Sequence, residues 1–200
     1  MTRFMRFIRY FHFKIPEKEK EHFARKLVGF SSEEMYSVVA DVEHYDLFVP
    51  FCTRSVILSK NTKKLNANLE IGFPPIVENY TSNVTLSRPN FVRAVCSDGK
   101  LFHYLETNWK FSPGLKSNPR SCIIDFYICF RFKSIVHSQI ALFFFDNLVN
   151  KMEKAFLEEA RRRYGEATVP SHPLEVVKNC QISLLEVARS PFHSRQQGRQ

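Results

Sequence analysis

The chain has 200 residues, a formal net charge of +9 and a hydrophobic fraction of 44%. This length suits one domain with tails, and such a chain needs no disulfide support because it can bury roughly 70% of its unfolded surface. No stretch approaches the ~18 consecutive apolar residues of a transmembrane helix. The five cysteines form no C-x-x-C pair, which disfavours a zinc site and a secreted disulfide framework. We expect a reduced, intracellular protein that holds no metal.

The positive charge is concentrated at the N terminus. Arg3, Arg6, Arg9 and Lys14 occur within residues 1–15 without an acidic residue. On a helix the three arginines would share one side and apolar residues would fill the rest. An acid-free, arginine-rich amphipathic start is typical of a mitochondrial presequence, so we interpret residues 1–19 as a targeting segment. A basic helix on a membrane surface and a disordered arm are the alternatives.

Next along the chain, residues 22–30 predict a weak first strand. Ser31 and Glu34 have the spacing of a capping box and predict the start of a short helix. Pro50 prevents that helix from continuing through the turn at 48–52. The period then changes from helical to alternating. Strands are predicted over 53–59, 65–73, 76–86, 91–97, 103–111 and 122–132.

The strands and the last helix together predict the fold. Successive strands with short turns indicate an antiparallel meander with one covered face. A long helix follows over 135–164 and ends at Gly165. We expect an α+β helix-grip domain over 20–168, in which a curved antiparallel β-sheet wraps around the long C-terminal helix. Residues 169–200 form a C-terminal extension whose last ten or so residues are expected to be disordered.

The pattern disfavours a nucleic-acid partner, because the aromatic residues share the covered face while the charges lie opposite. The sequence also contains no nucleophile elbow, phosphate-binding loop or H-E-x-x-H motif, so we assign no catalytic residue. Two titratable groups are candidates. His103 shares the inward face of its strand with Trp109. Strict alternation places Glu78 on the apolar face, where a carboxylate is costly; the favoured interpretation is a bulge after Pro75 that turns it outward.

Four stretches, in order along the chain, carry a resemblance to a known family: GFSSEEMYSVVADVEHYDLFVPFC, LEIGFPPIVENYTSNVTL, CSDGKLFHYLETNWKFSPG and IVHSQIALFFFDNLV. They closely resemble the coenzyme Q-binding protein family, which belongs to the START-like, polyketide-cyclase-type superfamily. The resemblance covers residues 20–168. Phe51 stands where many relatives carry tryptophan.

The resemblance implies an apolar cavity that holds ubiquinone, a polyprenylated quinone, and it favours a tunnel over the solid core that periodicity also allows. It implies a non-enzymatic lipid chaperone without a cofactor. Such a protein would lie peripherally on the matrix side of the mitochondrial inner membrane, where it supports respiration and quinone biosynthesis. Quinone-biosynthesis or respiratory complexes are the expected protein partners.

Family motifs and inward-facing positions together predict the contacts. The turn at 48–52 and the start of the long helix are expected to form the mouth. Phe143 is the expected membrane contact, and Lys151 and Lys154 on the same helix would favour anionic lipid. Each ligand contact has plain core packing as its alternative. The predicted ligand contacts are Val49, Pro50, Leu69, Ile71, Trp109, Phe126, Phe130, Phe145 and Leu148.

Three other functions stay open on the same scaffold. One is an enzyme such as a cyclase or hydrolase, which would need a titrating pair inside the cavity and could draw only on Glu78 and His103. Another is a regulator that binds other proteins. The third is a carrier of a different lipid, such as a phospholipid or a sterol.

Overall fold

A computed structural model describes residues 19–73, 76–100, 102–133 and 135–175. The predicted targeting segment, apart from Glu19, and the predicted disordered end lie outside these residues. The strands and helices predicted within them are present. The elements are β1 Glu19–Val28, α1 Ser32–Val39, a 3₁₀ helix Val42–Leu47, β2 Cys52–Lys60, β3 Lys64–Phe73, β4 Ile76–Ser87, β5 Phe91–Gly99, β6 Phe102–Pro113, β7 Cys122–Phe132, α2 Ile135–Tyr164 and β8 His172–Pro173.

The strands form one antiparallel sheet in the order β2-β3-β4-β5-β6-β7-β1-β8. The first strand returns to pair with β7, so that Ala24 lies opposite Phe126. After α2 the chain adds β8 to the other edge of β1, where His172 pairs with Leu27. Helix α2 lies against the concave face, as the helix-grip prediction requires. Within the predicted C-terminal extension, residues 172–173 are thus part of the sheet.

Local signals explain where the helices begin and end. The Glu34 amide donates to Ser31 Oγ at 3.2 Å, and Glu34 Oε2 accepts from the Ser31 amide at 2.8 Å, which is the predicted capping box. Helix α2 ends at Gly165, which adopts a φ of +82° and donates its amide to the carbonyl of Arg161. That left-handed conformation suits glycine because it has no Cβ.

One end of the molecule is held together by Arg120, in the loop between β6 and β7. Its guanidinium donates to Glu34 Oε1 at 3.0 Å and to the backbone carbonyls of Tyr164 at 2.7 Å and Glu166 at 3.0 Å. It also lies 5.7 Å from the centroid of the Phe30 ring. These contacts join α1, the β6–β7 loop and the C terminus of α2. We call this the fastened end.

Candidate ligand-binding site

A cavity lies between the second half of α2 and the part of the concave face formed by β1, β6 and β7. Its volume is ≈ 20 Å³, about enough for one water molecule and far below the about 300–1,000 Å³ that is usual for drug-sized ligands. Eight of the ten lining side chains are apolar. The lining residues are Ala24, Lys26, Val28, Met35, Trp109, Ile124, Phe126, Glu153, Phe156 and Leu157.

Three aromatic rings form one wall of this cavity. Trp109 of β6 stacks on Phe126 of β7 with 4.2 Å between the ring centroids, because the two residues are register partners. Phe156 of α2 packs against Trp109 at 4.8 Å. Phe156 also contacts Phe48 and Tyr45, with centroid distances of 5.3 and 5.5 Å. The wall is thus apolar and aromatic, and it connects the cavity to the segment that precedes β2.

The polar side of the cavity comes from β1 and α2. Glu153 is buried, with 7% of its side chain exposed, and it pairs with Lys26 and with His22 Nε2, the latter at 3.3 Å. Lys26 and Glu153 both line the cavity. Neither residue is among the site residues predicted from the sequence. A signal was present, because Glu153 occupies the same side of α2 as the buried Val149 and Phe156.

The predicted ligand contacts fall into three groups. Trp109 and Phe126 line the cavity. Two of the predicted contacts are buried in the hydrophobic core, namely Leu69 and Phe130. Four others are half-buried: Val49, Pro50, Ile71 and Leu148. The side chain of Phe145 lies outside the described residues. As ligand contacts, all nine stay predictions.

The inward orientation predicted for His103 is wrong. A register shift separates Phe102 from Tyr104 in the pairing of β6 with β7. Such an irregularity breaks the strict alternation of side chains. Phe102 consequently takes the buried position, with its ring tilted against that of Phe130 at a centroid distance of 6.2 Å, and His103 is exposed.

The bulge proposed after Pro75 is also wrong. The ladder between β3 and β4 runs without a shift, so that Gly72 pairs with Val77 and Ile71 with Glu78. Directly opposed residues in an antiparallel pair point to the same face. Glu78 therefore shares the face of Ile71 and is half-buried at the end of the sheet. The structure does not bring Glu78 and His103 together as a catalytic pair.

Other titratable groups near the concave face are held in their neutral forms. Burial raises the pKa of the Cys52 thiol to about 11 and that of the Cys122 thiol to about 12. Burial likewise raises the pKa of Tyr80, whose ring packs against Phe102 at 5.6 Å. A thiolate is the nucleophilic form of cysteine, so these thiols are poor nucleophiles at neutral pH.

Apolar side chains are exposed where the 3₁₀ helix leads into β2. Leu47 is 72% exposed and Phe51 is 39% exposed. Phe51 adopts a φ of +65°, which is unusual for a bulky residue, and Lys151 Nζ lies 6.0 Å from the centroid of its ring. We call Leu47, Phe51 and Lys151 the tip. The side chain of Phe143, the predicted membrane contact, lies outside the described residues.

The two predicted lysine contacts differ in their surroundings. Lys151 and Lys154 are both exposed, and Lys154 Nζ lies 3.4 Å from Glu158 Oε1 one turn further along α2. No helix in the described part of the chain has the length and hydropathy needed to cross a bilayer.

Comparison with known proteins defines the class. A profile of the polyketide cyclase / dehydrase and lipid transport family matches residues 28–157. The Zhui aromatase/cyclase of Streptomyces sp. R1128 has a similar fold, with a TM-score of 0.63 at 14% identity over 76% of this chain and 99% of that one. The chain belongs to the polyketide cyclase / dehydrase and lipid transport family.

Within this class, named relatives confirm the resemblance to coenzyme Q-binding proteins. Mitochondrial coenzyme Q-binding protein COQ10 of Drosophila melanogaster is 47% identical over 158 residues, which are 79% of this chain and 65% of that protein. Mitochondrial coenzyme Q-binding protein COQ10 homolog B of Xenopus laevis is 50% identical over 153 residues, 76% of this chain and 63% of that one. The chain thus matches a little less than two thirds of the length of these relatives.

Proposed function

We propose that this protein binds coenzyme Q in the cavity beneath α2 and acts as a lipid chaperone without catalysing a reaction. The lining of the cavity carries this proposal, since eight of its ten side chains are apolar and three of them form an aromatic wall. The bound lipid would widen the cavity by moving α2 away from the sheet. An isoprenoid tail gains about 0.8 kcal/mol for each CH₂ group removed from water. The names of the relatives supply the quinone as the specific ligand.

The two residues considered for catalysis do not favour an enzyme. Glu78 and His103 were the candidates for catalysis, and His103 is exposed. The thiols of Cys52 and Cys122 are held neutral by burial. Stabilising a transition state requires groups placed around a reacting atom, and the cavity offers only the paired Lys26 and Glu153.

We place the protein in mitochondria, peripherally on the matrix side of the inner membrane, where it would deliver the quinone to respiratory or biosynthetic complexes. The relatives carry mitochondrial names, and the acid-free N terminus has the composition of an import signal. The exposed tip provides an apolar and cationic surface for contact with lipid. The predicted contacts Phe143 and Lys154 belong to the same proposal.

The bound lipid can be identified directly. The full chain is purified, extracted with solvent and examined by mass spectrometry, and a preparation emptied of lipid is then offered ubiquinone in liposomes. We expect ubiquinone in the extract and uptake by the emptied protein. A sterol or phospholipid in its place, or an empty protein that refuses ubiquinone, would contradict the proposal.

A variant that fills the cavity tests the position of the site, and a variant with the same ring on the surface serves as its matched control. Ala24 lines the cavity on β1, so Ala24→Phe should occupy ligand space and lower the amount of bound quinone severalfold. Leu58→Phe adds a ring at a residue that is 58% exposed on β2, and it should leave the bound quinone unchanged. Equal loss in both variants would show that the cavity is not the site.

A further inference from the structure

The cavity has one polar corner, which Lys26 and Glu153 line, and His22 pairs with the Glu153 carboxylate. We infer that this polar corner receives the oxygen-bearing head group of the bound lipid, while the aromatic wall holds its apolar tail. The inference rests on the proposed function and adds the part of the site that distinguishes a quinone from a hydrocarbon. It assigns the role of hydrogen-bond donor chiefly to Lys26.

The first step concerns Glu153, which interrupts an apolar stripe. Val149, Phe156 and Ala160 lie on the same side of α2, and their side chains are 0%, 2% and 0% exposed. A carboxylate among them, itself 6% exposed, loses most of its hydration and is tolerated only with partners. Its partners are Lys26 and His22 on β1. A plain helix–sheet contact would be made more simply by apolar residues.

The second step concerns the strand that faces Glu153. His22, Ala24 and Lys26 pair with Ile128, Phe126 and Ile124 of β7, and Phe126 and Ile124 line the cavity. Paired residues share a face, so β1 presents hydrogen-bond donors to the concave side. Of these donors, Lys26 lines the cavity, and its side chain is 30% exposed.

The third step concerns the donors themselves. An ammonium group carries three N–H donors, and the contact with Glu153 Oε2 engages one of them. Quinone carbonyl and methoxy oxygens only accept hydrogen bonds, and they lose their bonds to water when the head group enters an apolar cavity. Lys26 supplies a replacement that the apolar lining cannot. A head group without oxygen would gain nothing from it.

Two ligands that differ only in the head group isolate this contribution. Ubiquinone with two isoprene units is compared with geranylbenzene, which carries the same tail on a ring without oxygen. Affinities are measured calorimetrically with the full chain. We expect the wild type to prefer the quinone about tenfold, which corresponds to one charge-assisted hydrogen bond.

The test variant is Lys26→Met/Glu153→Leu, which replaces the pair with apolar side chains of similar volume. Such replacements are often neutral for stability, so the variant should keep its thermal midpoint and bind both ligands equally. The control is Arg161→Met/Glu166→Leu, which removes an exposed ion pair at the C-terminal end of the same helix, with side chains 61% and 76% exposed. The control should keep the tenfold preference.

The outcomes separate this inference from the proposed function. A tenfold preference in the wild type that disappears only in Lys26→Met/Glu153→Leu supports the polar corner. If the wild type binds both ligands equally, or the test variant keeps the preference, the pair merely ties α2 to β1 and the inference is wrong. If the wild type binds neither ligand, the proposed function fails and the inference falls with it.

Discussion

Trp109 and Phe126 are register partners on adjacent strands, and their rings stack at a centroid distance of 4.2 Å on the wall of the cavity. Trp109 is also the only tryptophan in the chain, and it is 5% exposed. Its emission therefore reports on the cavity and on nothing else.

We predict that ubiquinone quenches most of this emission at saturation, because an electron-poor quinone in contact with an excited indole accepts an electron from it. Titration followed by fluorescence measures the effect. In Trp109→Phe the signal should vanish while quinone uptake, assayed by extraction, continues. Unchanged Trp109 emission at full loading would place the ligand elsewhere.

Two glycines are predicted to respond differently to the same substitution. A Cβ at Gly29 would lie 2.4 Å from the backbone nitrogen of Val169, so Gly29→Ala must displace that backbone and weaken the bond from the Thr168 amide to the Gly29 carbonyl. Overpacking costs about 1–3 kcal/mol, and the lost hydrogen bond costs about 1 kcal/mol more. Urea unfolding of the variant measures the sum.

Gly165→Ala is the comparison, because a Cβ there meets nothing within 4 Å while φ is +82°. Gly165→Ala should lower the free energy of unfolding by only about 1 kcal/mol, which is the cost of alanine in the left-handed conformation. A larger loss for Gly165→Ala than for Gly29→Ala would show that the approach of residues 168–169 to Gly29 is not tight.

Because Arg120 makes the contacts of the fastened end, its replacement should strongly lower the stability of the fold. Replacement by lysine leaves one charge but cannot reach Glu34 and the carbonyls of Tyr164 and Glu166 together. We expect Arg120→Lys to lower the free energy of unfolding by about 2 kcal/mol, since hydrogen bonds to charged groups contribute roughly 1.5–3 kcal/mol. Denaturant titration checks this.

Arg161→Ala provides the reference for an exposed pair. Arg161 and Glu166 form an ion pair with side chains 61% and 76% exposed, and such pairs are worth about 0–1 kcal/mol. If both substitutions cost the same, the contacts of Arg120 do not fasten the ends of the two helices.

Glu159 predicts a pH dependence of stability. Hydrogen bonds from Arg162 and then Arg163 outweigh desolvation and hold the pKa of Glu159 at about 2, below its ordinary value of 4.5. A lowered pKa means that the ionised carboxylate stabilises the fold above about pH 4.5, and that this contribution disappears as the pH falls toward 2.

The measurement is the difference in unfolding free energy between the wild type and Glu159→Gln from pH 6 to pH 2. The wild type should be more stable at pH 6, and the difference should shrink below pH 4.5. Comparing the two proteins cancels the protonation of the other carboxylates. A difference that stays constant to pH 2 would mean that Arg162 and Arg163 do not lower the pKa of Glu159.

Much of the fold follows from local signals. The predicted capping box of Ser31 and Glu34 forms, and the predicted bounds of the long helix agree with Ile135–Tyr164. Both are set by neighbouring residues: the cap of Ser31 fixes the start of α1, and Gly165 fixes the end of α2. The alternation of Ile124, Phe126 and Ile128 likewise predicted their burial on one face of β7.

The site was less predictable because it depends on how strands and helix meet. The irregularity after Phe102 that exposes His103 leaves no mark in the hydrophobic pattern. The face on which Glu78 lies follows only from the observed pairing of β3 with β4. Glu153 looked like one more helix charge, although its position among Val149 and Phe156 marked it as buried. Its partner Lys26 is 127 residues away in sequence, and only the packing of α2 on β1 brings the two together.

Among the described strands the order begins with β2 and ends with β8, so the sheet that they form is open and does not close into a barrel. A barrel fixes its bore by the number of strands and their stagger, and widening it breaks ladder hydrogen bonds. An open sheet can flatten while every ladder hydrogen bond stays intact. The side chains on its concave face then lose contacts with α2. The width of the ligand that fits is then limited by the loss of side-chain contacts between sheet and helix, and not by the breaking of ladder hydrogen bonds.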